Sequence, residues 1–323
     1  MTDRQALLVT PEALAEQLAV ERDAWRSGGA QLPRTLVLDV RWSLAEPDGR
    51  AAFSAGHVPG AVYVDLESQL SGHGPATAGR HPLPGDELLT NAARRWGLRP
   101  GDRVVAYDGD GNLAAARAWW LLRDAGVDVR LLDGAWPGWI EAGLPIETGT
   151  DEAGTDEAGA LEASAVEAST VESSVVGTSG DGHPEITLVG GRMPRLTIEE
   201  AAVWARDAVL LDARAAERYS GDSEPIDPRA GHVPGARSLP TTGNIDAAGR
   251  FLELQELRAR FEAAGVGVPA ADERVAAYCG SGITASHTLF ALELAGHRGA
   301  LFPGSWSQWA NHPELPVATG PLP

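Results

Sequence analysis

Lysine is absent from this 323-residue chain, so all 26 of its basic side chains are arginines. No ammonium can therefore serve as a point-charge ligand or a Schiff-base nucleophile, and any anion held by side-chain cations must be held by guanidinium forks. Cysteine is nearly absent as well. The single thiol, Cys279, excludes an intramolecular disulfide and leaves one seat for thiol chemistry, which fits a reducing compartment. Long hydrophobic runs are missing: no stretch of about 18 apolar residues indicates a spanning helix, and the first 30 residues have no apolar core behind a basic start. A cytoplasmic protein with no membrane partner is expected. Positive charge is in deficit, and a net charge of −19 argues against a nucleic-acid or anionic-membrane surface.

What is present is a repeat. "LVLDVRWSL" near Val37 is answered by "VLLDARAAE" near Leu210, and "GHVPGA" occurs at Gly56–Ala61 and again at Gly231–Ala236. "RVVAYDGDGNLAAARAWWLLRDAG" from Arg103 parallels "RVAAYCGSGITASHTLFALELAG" from Arg274, and "LLDGAWPGW" parallels "LFPGSWSQW". Two copies of one domain explain the order of these matches. Between them, 148–184 is rich in Gly, Ser, Thr, Asp and Glu and buries too little apolar surface to offset its ordering entropy; it reads as a flexible acidic linker. The expected division is thus 1–147, 148–184 and 185–323.

Each copy alternates short β-branched runs (Thr35–Val40, Val104–Tyr107, Val209–Asp212, Val275–Tyr278) with helical segments such as Ala114–Ala125 and Ala285–Ala295. That alternation predicts an α/β fold, a mostly parallel sheet flanked by helices, with ligands beyond the carboxyl ends of the strands. "YCGSGIT" (Tyr278–Thr284) is such a strand-to-helix turn. Gly280 and Gly282 let successive N–H groups curl inward, and the following helix adds its positive end, giving an anion cradle around Cys279 suited to a thiolate or persulfide. A buried inert cysteine is the alternative, and the Gly-x-Gly turn argues against it. A phosphatase loop would need an arginine at its far end, where Ile283, Thr284 and Ala285 stand. A calcium loop at "DGDGN" lacks its glycine and glutamate, since Leu113 and Trp119 occupy those positions. No metal or cofactor is expected.

Two copies, the paired "GHVPGA", "CGSGIT" before a helix and the "GSWSQW" ending together resemble the two-domain rhodanese family, nearest its 3-mercaptopyruvate sulfurtransferase branch, whose loop is typically Cys-Gly-Ser-Gly-Val-Thr. The resemblance implies two tandem rhodanese-like domains, with Asp108 standing where the first would carry cysteine, so that copy is catalytically silent. It implies sulfur transfer from 3-mercaptopyruvate through a Cys279 persulfide to cyanide or a thiol such as thioredoxin, by a monomer. It also implies a Ser-His-Asp set, carried over as Ser281, His57 in the first "GHVPGA" and Asp48 nine residues before it. Because His232 occupies the equivalent place in the other copy, a structural role for the motif is the competing reading of His57. Arg218 and Arg229 are implied as the carboxylate fork, with Gly280, Gly282, Ile283 and Thr284 forming the donor-binding loop, while Arg214 reads as a structural brace. Thiosulfate sulfurtransferase is the enzymatic alternative, although its loop usually carries cations and this one is neutral. A non-enzymatic persulfide carrier or sulfide-responsive module is the other.

Overall fold

The computed structural model describes residues 4–27, 33–150, 185–268, 270 and 273–323. Apart from its first three residues, the segment expected as a linker lies outside them. The first copy runs α1 (Arg4–Leu7), β1 (Leu8–Val9), α2 (Pro11–Arg26), β2 (Thr35–Asp39), α3 (Arg50–Ala55), β3 (Val62–Tyr63), α4 (Leu66–Gln69), α5 (Asp86–Arg95), β4 (Arg103–Tyr107), α6 (Ala115–Asp124), β5 (Asp128–Leu132) and α7 (Ala135–Glu141). The second runs α8 (Ile198–Asp207), β6 (Val209–Asp212), α9 (Ala216–Ser220), β7 (Arg237–Ser238), α10 (Leu254–Ala263), β8 (Val275–Tyr278), α11 (Thr284–Ala295), β9 (Ala300–Leu301) and α12 (Ser305–Ala310).

Both sheets are parallel throughout, in the orders β1-β5-β4-β2-β3 and β7-β6-β8-β9. Asp39 pairs with Tyr107 in the first sheet as Asp212 pairs with Tyr278 in the second, so the two cores share one register. Where β1 lines the edge of the first sheet, Arg195 makes a single parallel bridge to Leu301 in the second. Strands buried on both faces read as continuous apolar runs, and "LVLD" and "VLLD" do. The start of α8 is fixed by a sequence-encoded capping box: Thr197 Oγ1 accepts from Glu200 N while Glu200 reaches back to Thr197 N.

The copies meet through α6 and α11. A single hydrophobic cluster contains Trp119, Trp120 and Leu122 of α6 with Phe290, Leu289 and Leu292 of α11, and Trp119 packs edge-on to Phe290 with ring centroids 4.9 Å apart. Helix α6 is buried nearly all round, Arg117 and Asp124 included. Chain from Glu185 to Met193 also lies along the first copy, where Leu188 exchanges hydrogen bonds with Thr90 and Met193 N donates to Asp124. Among the described residues no helix is long and apolar enough to cross a membrane.

Candidate active site

Cys279 follows the last residue of β8 and is 2% exposed. Its sulfur accepts the N–H of Gly282 at 3.1 Å. The turn that allows this needs glycine: Gly282 has φ +83°, and a Cβ there would stand 2.4 Å from the Pro303 carbonyl oxygen. The loop is pinned from α12, since Ser305 Oγ accepts from Cys279 N at 3.1 Å, and Trp306 N and Ser307 N donate to the Cys279 and Gly280 carbonyls.

The equivalent turn of the first copy shows what this backbone holds. Asp108 lies at the cysteine position, fully buried, and its carboxyl accepts the N–H groups of Asp110, Asn112, Ala114 and Ala115 at 2.7 to 3.0 Å. A cradle of four donors is thus filled by the chain's own acceptor. Burial nevertheless raises the Asp108 pKa, with the four N–H bonds opposing it.

Ser281 lies in the loop, 7% exposed, with its hydroxyl 2.7 Å from Nδ1 of His81. His81 Nε2 is 3.2 Å from Glu67 Oε1, which also accepts from Trp42 Nε1 at 2.7 Å. Hydroxyl, imidazole and carboxylate therefore form a chain across the domain interface, built by Ser281, His81 and Glu67. Burial lowers the His81 pKa, partly offset by Glu67, which favours the neutral ring that can hold or pass one proton.

The expected partners of Ser281 are elsewhere. His57 Nδ1 bonds the Phe53 carbonyl at 2.8 Å and its ring stacks on Phe53 at 3.8 Å. His232 does the same with the Tyr219 carbonyl at 2.8 Å and the Tyr219 ring at 3.7 Å. Two copies making one contact identify the GHVPGA histidines as turn-packing residues. Asp48 is exposed, two residues before the start of α3, and accepts from Arg50 N at 3.0 Å. The imidazole and carboxylate at Ser281 are thus His81 and Glu67, correcting the expected His57 and Asp48.

Two guanidinium groups overhang the loop. A Cβ built on Gly280 would meet Arg80 Nη2 at 3.1 Å and Arg218 Nη1 at 3.3 Å. Arg218 is held by Glu224 at 2.6 Å and Asp227 at 3.2 Å, and Arg80 pairs with the other oxygen of Asp227. Both retain a buried Nε without a hydrogen-bond partner. Burial raises the Asp227 pKa against the pull of Arg80. Arg229 is not in this group: its guanidinium donates to the carbonyls of Trp309, Ala310, His312 and Leu315, tying the C-terminal segment to the domain. Arg80 takes the place expected for Arg229 beside the loop. Arg214 forks onto Asp212 at 2.6 and 3.0 Å and braces the carboxyl end of β6. Ile283 and Thr284 lead the loop into α11, the former buried and the latter half-buried.

Glu67, Arg80 and His81 are the residues that sequence reasoning missed. His81 and Arg80 adjoin in "AGRHPLP", an irregular stretch whose counterpart in the second copy is "AGRFLEL", with Phe251 at the place of His81. That replacement was the available signal for His81, whereas Arg80 is matched by Arg250 and carried none.

The model of the rhodanese-like domain matches residues 23–142 and 198–312. The chain belongs to the rhodanese family. It is 41% identical over 285 residues to a Mycobacterium tuberculosis protein provisionally named a thiosulfate sulfurtransferase, covering 88% of this chain and 90% of that one. It is 32% identical to the Escherichia coli 3-mercaptopyruvate sulfurtransferase, over 91% of this chain and 95% of that one. The crystal structure of SseA from E. coli, described as a 3-mercaptopyruvate sulfotransferase of the rhodanese fold, superposes with a TM-score of 0.69 at 27% identity, covering 93% and 98% of the two chains. This rhodanese is accordingly an enzyme with sulfurtransferase activity of the 3-mercaptopyruvate or thiosulfate type, working between a small-molecule sulfur donor and a thiol acceptor.

Proposed function

We propose that the enzyme takes sulfur from 3-mercaptopyruvate. The carrying observation is the uncharged loop hydroxyl of Ser281 wired to His81 and Glu67 beside Cys279. In this reading the Cys279 thiolate attacks the donor sulfur and forms the S–S bond. The donor's C–S bond breaks, and its electron pair moves into the enolate of pyruvate, so cysteine sulfur is oxidised and carbon reduced. Ser281 hydrogen-bonds the ketone oxygen as it gains charge, and neutral His81 takes the donor's thiol proton through that hydroxyl and returns it to the enolate carbon, completing pyruvate and leaving the persulfide anionic. Arg218 and Arg80 receive the carboxylate through the Nη groups that overhang Gly280. The outer sulfur of the persulfide then finds the N–H groups that Asp108 occupies in the first copy, until an acceptor thiolate attacks it.

The reading extends to a dithiol protein such as thioredoxin as acceptor, to a monomer in the cytoplasm, and to a silent domain 1–147 joined through 148–184 to a catalytic domain 185–323. A thiosulfate donor is favoured by one observation, the pair of guanidiniums over Gly280, which could receive a dianion. Steady-state kinetics with both donors, using cyanide and reduced thioredoxin as acceptors, separates the two. Higher kcat/KM with 3-mercaptopyruvate is expected; higher kcat/KM with thiosulfate would overturn the assignment.

A further inference from the structure

Arg117 of α6 is fully buried and has no carboxylate partner among the described residues. Its guanidinium donates only to backbone carbonyls: Leu70 at 3.2 Å, Gly282 at 3.3 Å, His81 at 3.0 Å and Pro82 at 3.2 Å. Three features make this more than a structural arginine. Gly282 carries both contacts at once, its carbonyl on Arg117 and its N–H on the Cys279 sulfur. The His81 carbonyl on the same guanidinium belongs to the residue that faces Ser281. The third feature is the repeat itself. In the second copy the position of Arg117 is filled by His287, and the position of Gly282 in the first is Gly111; His287 Nε2 contacts the Gly111 carbonyl at 3.2 Å. Each central helix thus reaches across the interface to the other copy's cradle, but only the cradle with cysteine meets a permanent cation. The silent cradle meets an imidazole whose pKa burial lowers to about 3.

We propose that Arg117 is a positioning residue for sulfur transfer, a fixed buried counter-charge that acts through Gly282 to favour the anionic sulfur of Cys279. This rests on Cys279 being the sulfur carrier. Desolvation lowers the Arg117 pKa to about 10, and the Coulombic pull of Cys279 opposes it. Other charged groups around the loop are engaged differently. Arg80 and Arg218 are paired with Asp227 and Glu224, and His81 with Glu67 reaches the loop through Ser281.

The test is the pH dependence of Cys279 alkylation by iodoacetamide, which needs no donor and therefore fails independently of the mercaptopyruvate assignment. In folded full-length Arg117→Gln the midpoint should rise by about one pH unit, making the thiol on the order of tenfold less reactive at neutral pH. Arg117→Lys should restore most of the shift, because it keeps charge and loses the fork. An unchanged midpoint in the glutamine variant, or equal shifts in both variants, would overturn the proposal. Should neither variant fold, wild type and Cys279→Ser decide it: the wild-type advantage in thermal stability should grow as pH rises and the thiol ionises, and a constant difference would overturn it.

Discussion

Two histidines compete for one role, and their contacts assign them different consequences. His81→Ala removes the imidazole at Ser281, so turnover of mercaptopyruvate should fall by about 10²- to 10⁴-fold, the usual range for a general acid-base group, with the melting temperature little changed. His57→Ala removes a buried ring stack and a backbone hydrogen bond, so it should cost about 1–3 kcal/mol of stability while the folded fraction keeps its rate. Steady-state kinetics beside chemical denaturation checks both, and the reverse pattern would return His57 to the relay. Because burial lowers the His81 pKa, the neutral ring persists at pH 7 and the acid limb of the rate profile should lie below the ordinary histidine value of 6.5. The arginines divide the same way. Arg80→Ala and Arg218→Ala should each weaken the keto-acid donor by about 1.5–3 kcal/mol, whereas Arg229→Ala should loosen the C-terminal segment.

At the scale of elements, α11 carries a buried group with a signed pH consequence. His287 is neutral when folded, with a pKa near 3, and returns toward 6.5 when unfolded. Between those values the unfolded chain binds a proton that the native chain refuses, so this contribution is present above pH 6.5 and is lost as pH falls toward 3. From pH 7 to 5 the wild type should lose about 2 kcal/mol more than His287→Gln in urea unfolding. Asp39, whose pKa burial raises to about 7, acts with the opposite sign but equally in both proteins, so it cancels. What was legible in the sequence follows the same elements. Strands such as Val209–Asp212 and Val275–Tyr278 appear as read, because parallel strands buried on both faces announce themselves as β-branched runs. Cys279 was legible because its turn chemistry is local. Glu67 and His81 were not, since His81 reaches Ser281 from an irregular segment 200 residues away with Glu67 of α4 behind it, and no period or spacing encodes that approach. The conspicuous GHVPGA motif drew the assignment to His57, which the structure places against Phe53 as it places His232 against Tyr219.

The whole molecule is needed to complete the site. Cys279, Ser281 and Arg218 come from the second copy, while Glu67, Arg80, His81 and Arg117 come from the first, and the two share one apolar cluster through Trp119 and Phe290. Residues 185–323 alone should expose that face and fail to turn over mercaptopyruvate, and full-rate turnover by a folded isolated half would reduce the first copy to a scaffold. All of this converges on one sulfur atom at one residue. The most direct measurement is single-turnover intact mass with pyruvate assay, run on wild type and Cys279→Ser without acceptor. The account predicts one added sulfur per wild-type chain, one pyruvate released for each, and neither in the variant. Pyruvate released with no sulfur left on the wild-type chain, or undiminished turnover in the variant, would contradict it.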